Sequence, residues 1–376
     1  MDVYASEVVT SDDFDLSKRI EEMLTSTLNV HEKLWEVELL PSSKDEETIV
    51  LFRVHHCLCD GVSLSVALGD VSDESSKIQS RIQQEILQVK KKLSQQQFYF
   101  FKVILCYYLM GSIIALSLQF WRLLTSINPF ANLTKQSGTG GRRTVAWKYL
   151  APMDEIKKVI KCIDPSITVN DLGVFLTCAA VSRRIAQLDT TIPPSVNITI
   201  PVHTRGGVLL PGQSLGNHIG AFVTSVPCKK VPTNNNHKDE LVKRLKATSN
   251  RCKEGKYTPA PFIAHSMCKF ISQYFPSSIA KWTLRNGNAN SVAIVSNIRG
   301  FPFPVHWFGR HVEYMNAFLP IPPGIPIGVC LQSYASEVSF TVTADQHIVP
   351  NATEFASWMK QEYQQLKEQT INLKQD

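Results

Sequence analysis

Residues 55–61 read His-His-Cys-Leu-Cys-Asp-Gly. They close a β-branched, apolar run, 48–56, that the pattern predicts as a buried strand. Strand alternation puts His56 on the face of Val54 and Phe52, and His55 on that of Arg53. An imidazole fixed at a strand end can accept a proton at neutral pH, because its ordinary pKa lies near 6.5. Asp60, four positions after His56, can fix the loop or a ring tautomer by a hydrogen bond or an ion pair. Asp60-Gly61 reads as a tight turn. A histidine pair alone is commonly structural; the full pattern after such a strand is what points to catalysis by His56, with His55, Asp60 and Gly61 in support.

Two other chemistries compete. His55, His56, Cys57, Cys59 and Asp60 could suggest a metal site. Ligands packed so tightly on one extended segment point to opposite faces, and no second ligand cluster is evident, so no metal is expected. Gly212-Gln213-Ser214-Leu215-Gly216 is formally a GxSxG motif, which in a serine hydrolase follows a strand and opens a helix. Here it follows a turn-rich segment and precedes β-branched residues, so a loop between two strands is the favoured reading, with Ser214 as an alternative nucleophile. The glycines of 138–143 lack the Lys-Ser/Thr of a phosphate-binding loop and read as linker.

The positioning elements follow from periodicity. A short amphipathic helix begins after 12–15, with Leu16, Ile20 and Met23/Leu24 on one face, and a strand covers 34–40. Residues 74–97 form an exposed helix. Beyond the Gly/Ser/Thr-rich stretch 131–143 come a strand and a Pro/Asp-started helix, a helix capped near Thr168 or Asn170, and strands at 195–205 and 218–228. A helix at 237–255, a buried strand at 291–300, a hairpin at 329–345 and a helix at 352–369 complete the reading. Interleaved strands and helices without short βαβ spacing predict a mixed α/β layered fold.

The 376 residues carry 44% hydrophobic and 19% charged side chains and a net charge of +6. At roughly 100–200 residues per domain this is about two domains or subdomains. The charged fraction lies below the ~25% of ordinary soluble proteins, which excludes a mostly disordered chain or a coiled coil. No Lys/Arg block supports nucleic-acid binding. Nine cysteines without CxxC pairs favour a reducing compartment. The acidic start MDVYASEVVTSDDFDL has no apolar core of a signal peptide, and predicts a cytosolic beginning.

Residues 98–124 stand apart, with Lys102 and Arg122 their only charges. The uncharged stretch between them approaches the roughly 17–25 residues of a bilayer-crossing helix, and Tyr and Trp cluster near its ends. Contact with a membrane is the expectation, against a buried core helix.

Taken with its surroundings, HHCLCDG resembles the wax ester synthase/diacylglycerol acyltransferase family, within the chloramphenicol-acetyltransferase-like superfamily built on HHxxxDG. Residues 28–40 resemble the family's segment ending in Pro-Leu-Trp-Glu, with Lys33 in place of the proline. Asn170-Asp171 resembles its Asn-Asp motif, 198–205 its Pro-Val-x-x-Arg strand, and 214–220 its Leu-Gly-Asn loop. SNIRG (296–300) and 333–351 resemble its C-terminal signatures, so the resemblance spans about 12–370 in order. It implies two chloramphenicol-acetyltransferase-like subdomains with one site between them. The same resemblance implies an N-terminal half that is shortened, since the family usually carries a further strand and helix before the part matching residue 12. The implied divisions are 1–97 (first subdomain), 98–124 (membrane-associated segment), 125–143 (linker) and 144–376 (second subdomain).

The implied activity is acyl transfer from acyl-CoA, as co-substrate without a further cofactor, to a lipid alcohol, giving wax ester or triacylglycerol. His56 is the implied base. Asp60 holds its loop, with Arg205 as a candidate partner; Ser296 and Asn297 are candidate oxyanion donors. Asn170, Asp171 and Asn217 complete the candidate substrate-binding set. A single crossing at 98–124 would part His56 from Asn297, so the block should lie in the interface, re-enter or form a hairpin near Gly111-Ser112. The expected location is the endoplasmic reticulum membrane, with the site facing the cytosol. A catalytically impaired member that binds acyl-CoA or lipid is the alternative that a shortened N-terminal half suggests.

Overall fold

The computed structural model describes residues 5–7, 15–41, 47–94, 113, 117, 121, 128–137, 141–188, 190–204, 216–228, 238–256 and 258–372. They form a mixed α/β fold in two parts, each built on its own sheet. The smaller sheet has the order β1-β2-β3: β1 (Ala5–Glu7) runs parallel to β2 (Trp35–Pro41), and β3 (Thr48–Val54) pairs antiparallel with β2. Helix α1 (Leu16–Thr25) buries Ile20 and Met23, and Asp15 caps it by accepting from the Ser17 and Lys18 N–H groups.

After β3 come α2 (Gly61–Val71), α3 (Ser75–Ser94) and α4 (Ala131–Ser137). The rest of the chain builds β4 (Arg143–Pro152), α5 (Met153–Ile163), α6 (Val169–Gln187), β5 (Ser195–His203), β6 (Ile219–Pro227) and α7 (Lys238–Lys256). Two helices then run in sequence, α8 (Ala260–Tyr274) and α9 (Ser277–Asn288). They are followed by β7 (Ser291–Arg299), the small β8–β9 hairpin (His306–Trp307, Arg310–His311), β10 (Ile327–Tyr334), β11 (Glu337–Asp345) and α10 (Ala352–Asn372).

The larger sheet has the order β4-β11-β10-β7-β5-β6. Only the central pairs, β10 with β7 and β7 with β5, are parallel. Apolar side chains of β5, β7, β10 and β11 pack with α6 and α10 in one core. Helix α6 is buried over most of its length from Leu172 to Ile185, which its lack of a polar face requires. Thr168 accepts from the Asp171 N–H and Asp171 from the Thr168 N–H, a reciprocal cap that starts the helix there.

One irregularity of this sheet positions the site. β5 pairs with β7 only through Asn197–Thr199, opposite Ser291–Ile294, while β10 follows β7 to Arg299. The far end of β7 is thus bare of β5, and the first turn of α2 packs there. A Cβ on Gly61 would stand 3.0 Å from Ile298 Cδ1. Glycine lets helix and strand come this close.

Several expectations need correction. Asp60-Gly61 does not make a tight turn: Asp60 is the N-cap of α2, whose low contrast between faces hid it from a periodicity reading. β3 is not a buried strand, because Val50 and Phe52 are exposed and the Phe52 ring lies 6.1 Å from that of Trp35. Residues 131–137 of the expected linker are helical. Among the described residues no helix is long and apolar enough to cross a membrane; nearly all of the 98–124 block lies outside them.

Candidate active site

The β2–β3 ladder extends one residue past β3, with the His55 N–H donating to the Leu34 carbonyl at 2.7 Å. The chain then turns sharply over 56–58 and enters α2. His55 Nδ1 accepts from the Cys57 N–H at 3.3 Å, which fixes that ring against its own turn. The His56 side chain is exposed at the tip.

Asp60 is buried and tied to both parts of the molecule. Its Oδ1 accepts from the Ser63 N–H at 2.9 Å, capping α2. Its Oδ2 accepts from the His218 N–H at 2.8 Å and faces His203 Nε2 at 3.5 Å. The Asp60 N–H and the Ser63 hydroxyl both donate to the Gly216 carbonyl, at 3.1 and 3.0 Å. The Thr204 N–H and hydroxyl close the other side on the His218 carbonyl, at 2.8 and 2.9 Å. The loop around Gly216-Asn217-His218 is therefore clipped onto the loop of the two histidines.

That clip brings Asn217 to His56, with amide nitrogen and ring Nδ1 3.0 Å apart. Asn217 Oδ1 meanwhile accepts from the Ile219 N–H at 3.2 Å. With the amide so turned, Nδ1 is an acceptor and the ring proton sits on Nε2. Turning the amide over offers Oδ1 to Nδ1–H and leaves the lone pair on Nε2, the tautomer that a base at Nε2 requires.

Cys59 is no rival nucleophile. Burial, with the Asp60 carboxylate and Cys57 beside it, pushes its thiol up, so it stays protonated at neutral pH. Below the site, burial raises the Glu36 carboxyl, but Lys33 at 2.6 Å and Arg53 at 2.9 Å outweigh it and hold it below its ordinary range. The Arg53–Glu36 pair links β3 to β2 across the ladder, and Lys33, which replaces the proline of the resembled segment, adds a local ion pair to the same carboxylate.

The remaining candidates separate clearly. Asp171 is buried in its capping box and accepts from the Ser249 hydroxyl at 3.0 Å, so its carboxylate is committed to the fold, with Asn170 half-buried beside it. Ser296 is half-buried and Asn297 exposed, on opposite faces of β7. Ser296 shares the face of Ile298, which touches Gly61, and so lies toward α2. Arg205 and Ser214 lie outside the described residues. The partner of Asp60 that the sequence reading missed is His203, on β5 two positions before Arg205; no spacing pointed to it. Among the described residues no cluster of His, Cys, Asp and Glu is placed to hold a metal.

The fold is shared with solved structures of low sequence identity. A wax ester synthase/diacylglycerol acyltransferase from Marinobacter aquaeolei VT8 superposes with a TM-score of 0.56 at 14% identity, over 98% of this chain and 80% of that one. The first condensation domain of the calcium-dependent antibiotic synthetase gives 0.55 at 13% identity, over 97% and 77%. These likenesses show a shared two-part mixed α/β fold.

Sequence models narrow the class. The wax ester synthase/diacylglycerol acyltransferase catalytic domain matches residues 11–106, and the C-terminal domain of the same family matches 215–367. Among curated proteins, a probable diacylglycerol O-acyltransferase of Mycobacterium tuberculosis is 22% identical over 358 residues, 91% of this chain and 73% of that protein. Wax ester synthase/diacylglycerol acyltransferase 10 of Arabidopsis thaliana is 22% identical over 408 residues, 100% and 82%. The chain belongs to the wax ester synthase/diacylglycerol acyltransferase family of O-acyltransferases. His56 and Asp60 lie in the segment matched by the first model, Asn217 and His218 in that matched by the second.

Proposed function

We propose that the chain transfers a fatty acyl group from acyl-CoA to the hydroxyl of a lipid alcohol, forming a wax ester or a triacylglycerol. The observation that carries this reading is the placement of His56: exposed, at the tip of a rigid turn, and held through Nδ1 by Asn217 from the other part of the molecule. An alcohol is too weak an acid to attack a thioester unaided. His56 Nε2 takes the hydroxyl proton as the oxygen bonds to the thioester carbonyl carbon. The tetrahedral intermediate collapses, the C–S bond breaks, and the imidazolium returns its proton to the CoA thiolate.

No covalent acyl-enzyme is needed. Asp60 caps α2 through the Ser63 N–H, leaving the Gly61 and Val62 N–H groups at the helix start for the developing oxyanion. Ser296 is the better placed of the two β7 candidates.

The acceptor and product dissolve in lipid, and residues 98–124 have the composition to meet a membrane; we place the enzyme at the endoplasmic reticulum, its site facing cytosolic CoA. A single crossing by 98–124 would part Asp60 from His218, groups joined by a 2.8 Å hydrogen bond. The segment must therefore enter and leave on one side, or lie in the interface. The test is ester formation from labelled acyl-CoA and a fatty alcohol or diacylglycerol. His56→Ala should lower the rate about 10²–10⁴-fold; an undiminished rate overturns the assignment.

A further inference from the structure

Helices α8 and α9 leave most of their side chains open to water. α8 buries only Ala260 and Pro261, and α9 buries nothing. Yet they are rich in large apolar side chains. Ile263, Met267, Phe270 and Tyr274 follow the spacing i, i+4, i+7, i+11 and make one stripe along α8. Ile279 and Trp282, one turn apart, are exposed on α9, the helix that follows. Phe270 is 55% exposed and Trp282 68%. The Phe270 ring lies 5.0 Å from that of Tyr274 and 6.0 Å from that of Phe275, so the aromatic side chains cluster with one another while still open to water. A contiguous exposed apolar surface of this kind marks a docking site rather than ordinary surface.

Charge identifies the occupant. From Gly255 to Val312 the chain contains no Asp or Glu, and Lys269, Lys281 and Arg285 lie on the two helices themselves. An apolar face with Trp and Tyr, flanked by Lys and Arg and free of acids, matches the layered chemistry of an anionic lipid surface. The rings meet the acyl–headgroup boundary and the cations meet phosphates. A protein partner would not require the exclusion of every carboxylate.

Position gives the surface its use. The first turns of α8 press on β6 beside the catalytic loop: a Cβ on Gly220 would stand 1.8 Å from the Pro261 carbonyl oxygen. His265 Nδ1 lies 3.2 Å from the Ile219 carbonyl oxygen, and its ring lies 6.0 Å from that of His218. The start of α8 therefore meets β6 at Ile219 and Gly220, two and three residues after Asn217, which holds His56. We propose that the α8–α9 pair docks on an anionic membrane surface and brings the His56 site to acceptor lipids dissolved there. This deepens the acyltransferase reading, on which its purpose rests, but it is a binding statement that can be tested without turnover.

The test uses the full chain and vesicles of phosphatidylcholine and phosphatidylserine, with brominated acyl chains as a quencher of tryptophan emission and no acyl-CoA present. Wild-type protein should show a quenched component that Trp282→Phe lacks. Phe270→Asp with Ile279→Asp should abolish that component without altering the circular dichroism or thermal unfolding of these exposed positions. Lys269→Glu with Lys281→Glu should weaken partition about tenfold or more at low salt. Three results overturn the proposal. One is vesicle-bound protein whose Trp282 is unquenched. Another is lipid-free protein whose Trp282 is already closed to acrylamide, which makes 98–124 or another part of this chain the cover. The third is concentration-dependent self-association lost in Phe270→Asp with no effect on vesicle binding, which makes a second copy the occupant. Absence of ester formation would overturn the enzymatic reading and leave the quenching result standing.

Discussion

The carboxylate of Asp60 accepts a hydrogen bond from the backbone N–H of His218 at 2.8 Å, across 158 residues of sequence. The same side chain starts α2 through the Ser63 N–H. One buried acid thus sets both the direction of the helix after the histidines and the docking of the loop that supplies Asn217. Its role is positional. It makes the candidate site an interface, which exists only when the two parts of the fold are assembled.

Replacing Asp60 separates these two jobs. Asp60→Ala removes the cap, at a cost of about 0.5–2 kcal/mol, and leaves the His218 N–H unsatisfied, at roughly 1–3 kcal/mol more. Asp60→Asn keeps a cap through its oxygen but turns an amide NH₂ toward the His218 N–H. Denaturant unfolding should rank stability as wild type, then Asn, then Ala. Acyl transfer should fall in both variants, because the Gly216–His218 loop loosens even where α2 remains capped. An Asn variant with wild-type activity would show that the carboxylate only starts the helix.

Asn217 gives a prediction in pH. In the Asn217→Asp variant a carboxylate accepts from Nδ1–H and stabilises the imidazolium. Catalysis needs the neutral ring, so the acid limb of the kcat/KM profile should move to higher pH, with activity lost near neutrality and recovered in base. Asn217→Leu should lower the rate without moving that limb, since it removes tautomer control but adds no charge. A common limb for all three proteins would sever Asn217 from the reaction.

Much of the fold was legible because strong periodicities coincide with packing. β10 and β11 pair as the antiparallel hairpin the sequence suggests, although both are buried over most of their length rather than on alternate residues, and Thr168 caps α6 where a threonine before Asn-Asp suggests it. The turn of the two histidines stood out for a different reason: its residue types are costly unless used. Two things escaped. α2 is mildly apolar on every face, so nothing in 61–71 sets a helical period against the Asp-Gly turn signal. α8 shows a clear i, i+4, i+7 stripe and both helices carry a proline near the start, but the apolar side faces out, so no buried face set against a polar one marks them. His203 as the neighbour of Asp60 could not be read at all, because it depends on how β5 and α2 meet across the open end of β7.

The junction of site and docking surface predicts an effect at Gly220. A methyl group there collides with the Pro261 carbonyl oxygen, a backbone atom that yields only if α8 shifts. Gly220→Ala should cost about 1–3 kcal/mol and displace α8 from β6. Because Ile219 and Asn217 share that edge, acyl transfer should fall beyond the loss of folded protein, measured as kcat per active site. A variant merely less stable, with kcat intact, would show that the His56 loop does not feel α8.

A last prediction concerns the scaffold alone. Glu362 on α10 is fully buried between Arg244 of α7, at 3.2 Å, and Arg183 of α6, at 3.5 Å. The Arg244 guanidinium also lies over the Phe175 ring, 5.0 Å from its centre. Removing the acid strands a buried cation, which is far worse than never having had the pair. Glu362→Ala should therefore lose roughly 3–5 kcal/mol in urea unfolding. Glu362→Leu with Arg244→Met removes both buried charges and should recover most of that loss. Neither change touches the His56 loop, so the folded fraction should keep its turnover number. If the double variant is no better than Glu362→Ala alone, the acid holds α6, α7 and α10 together through contacts other than charge.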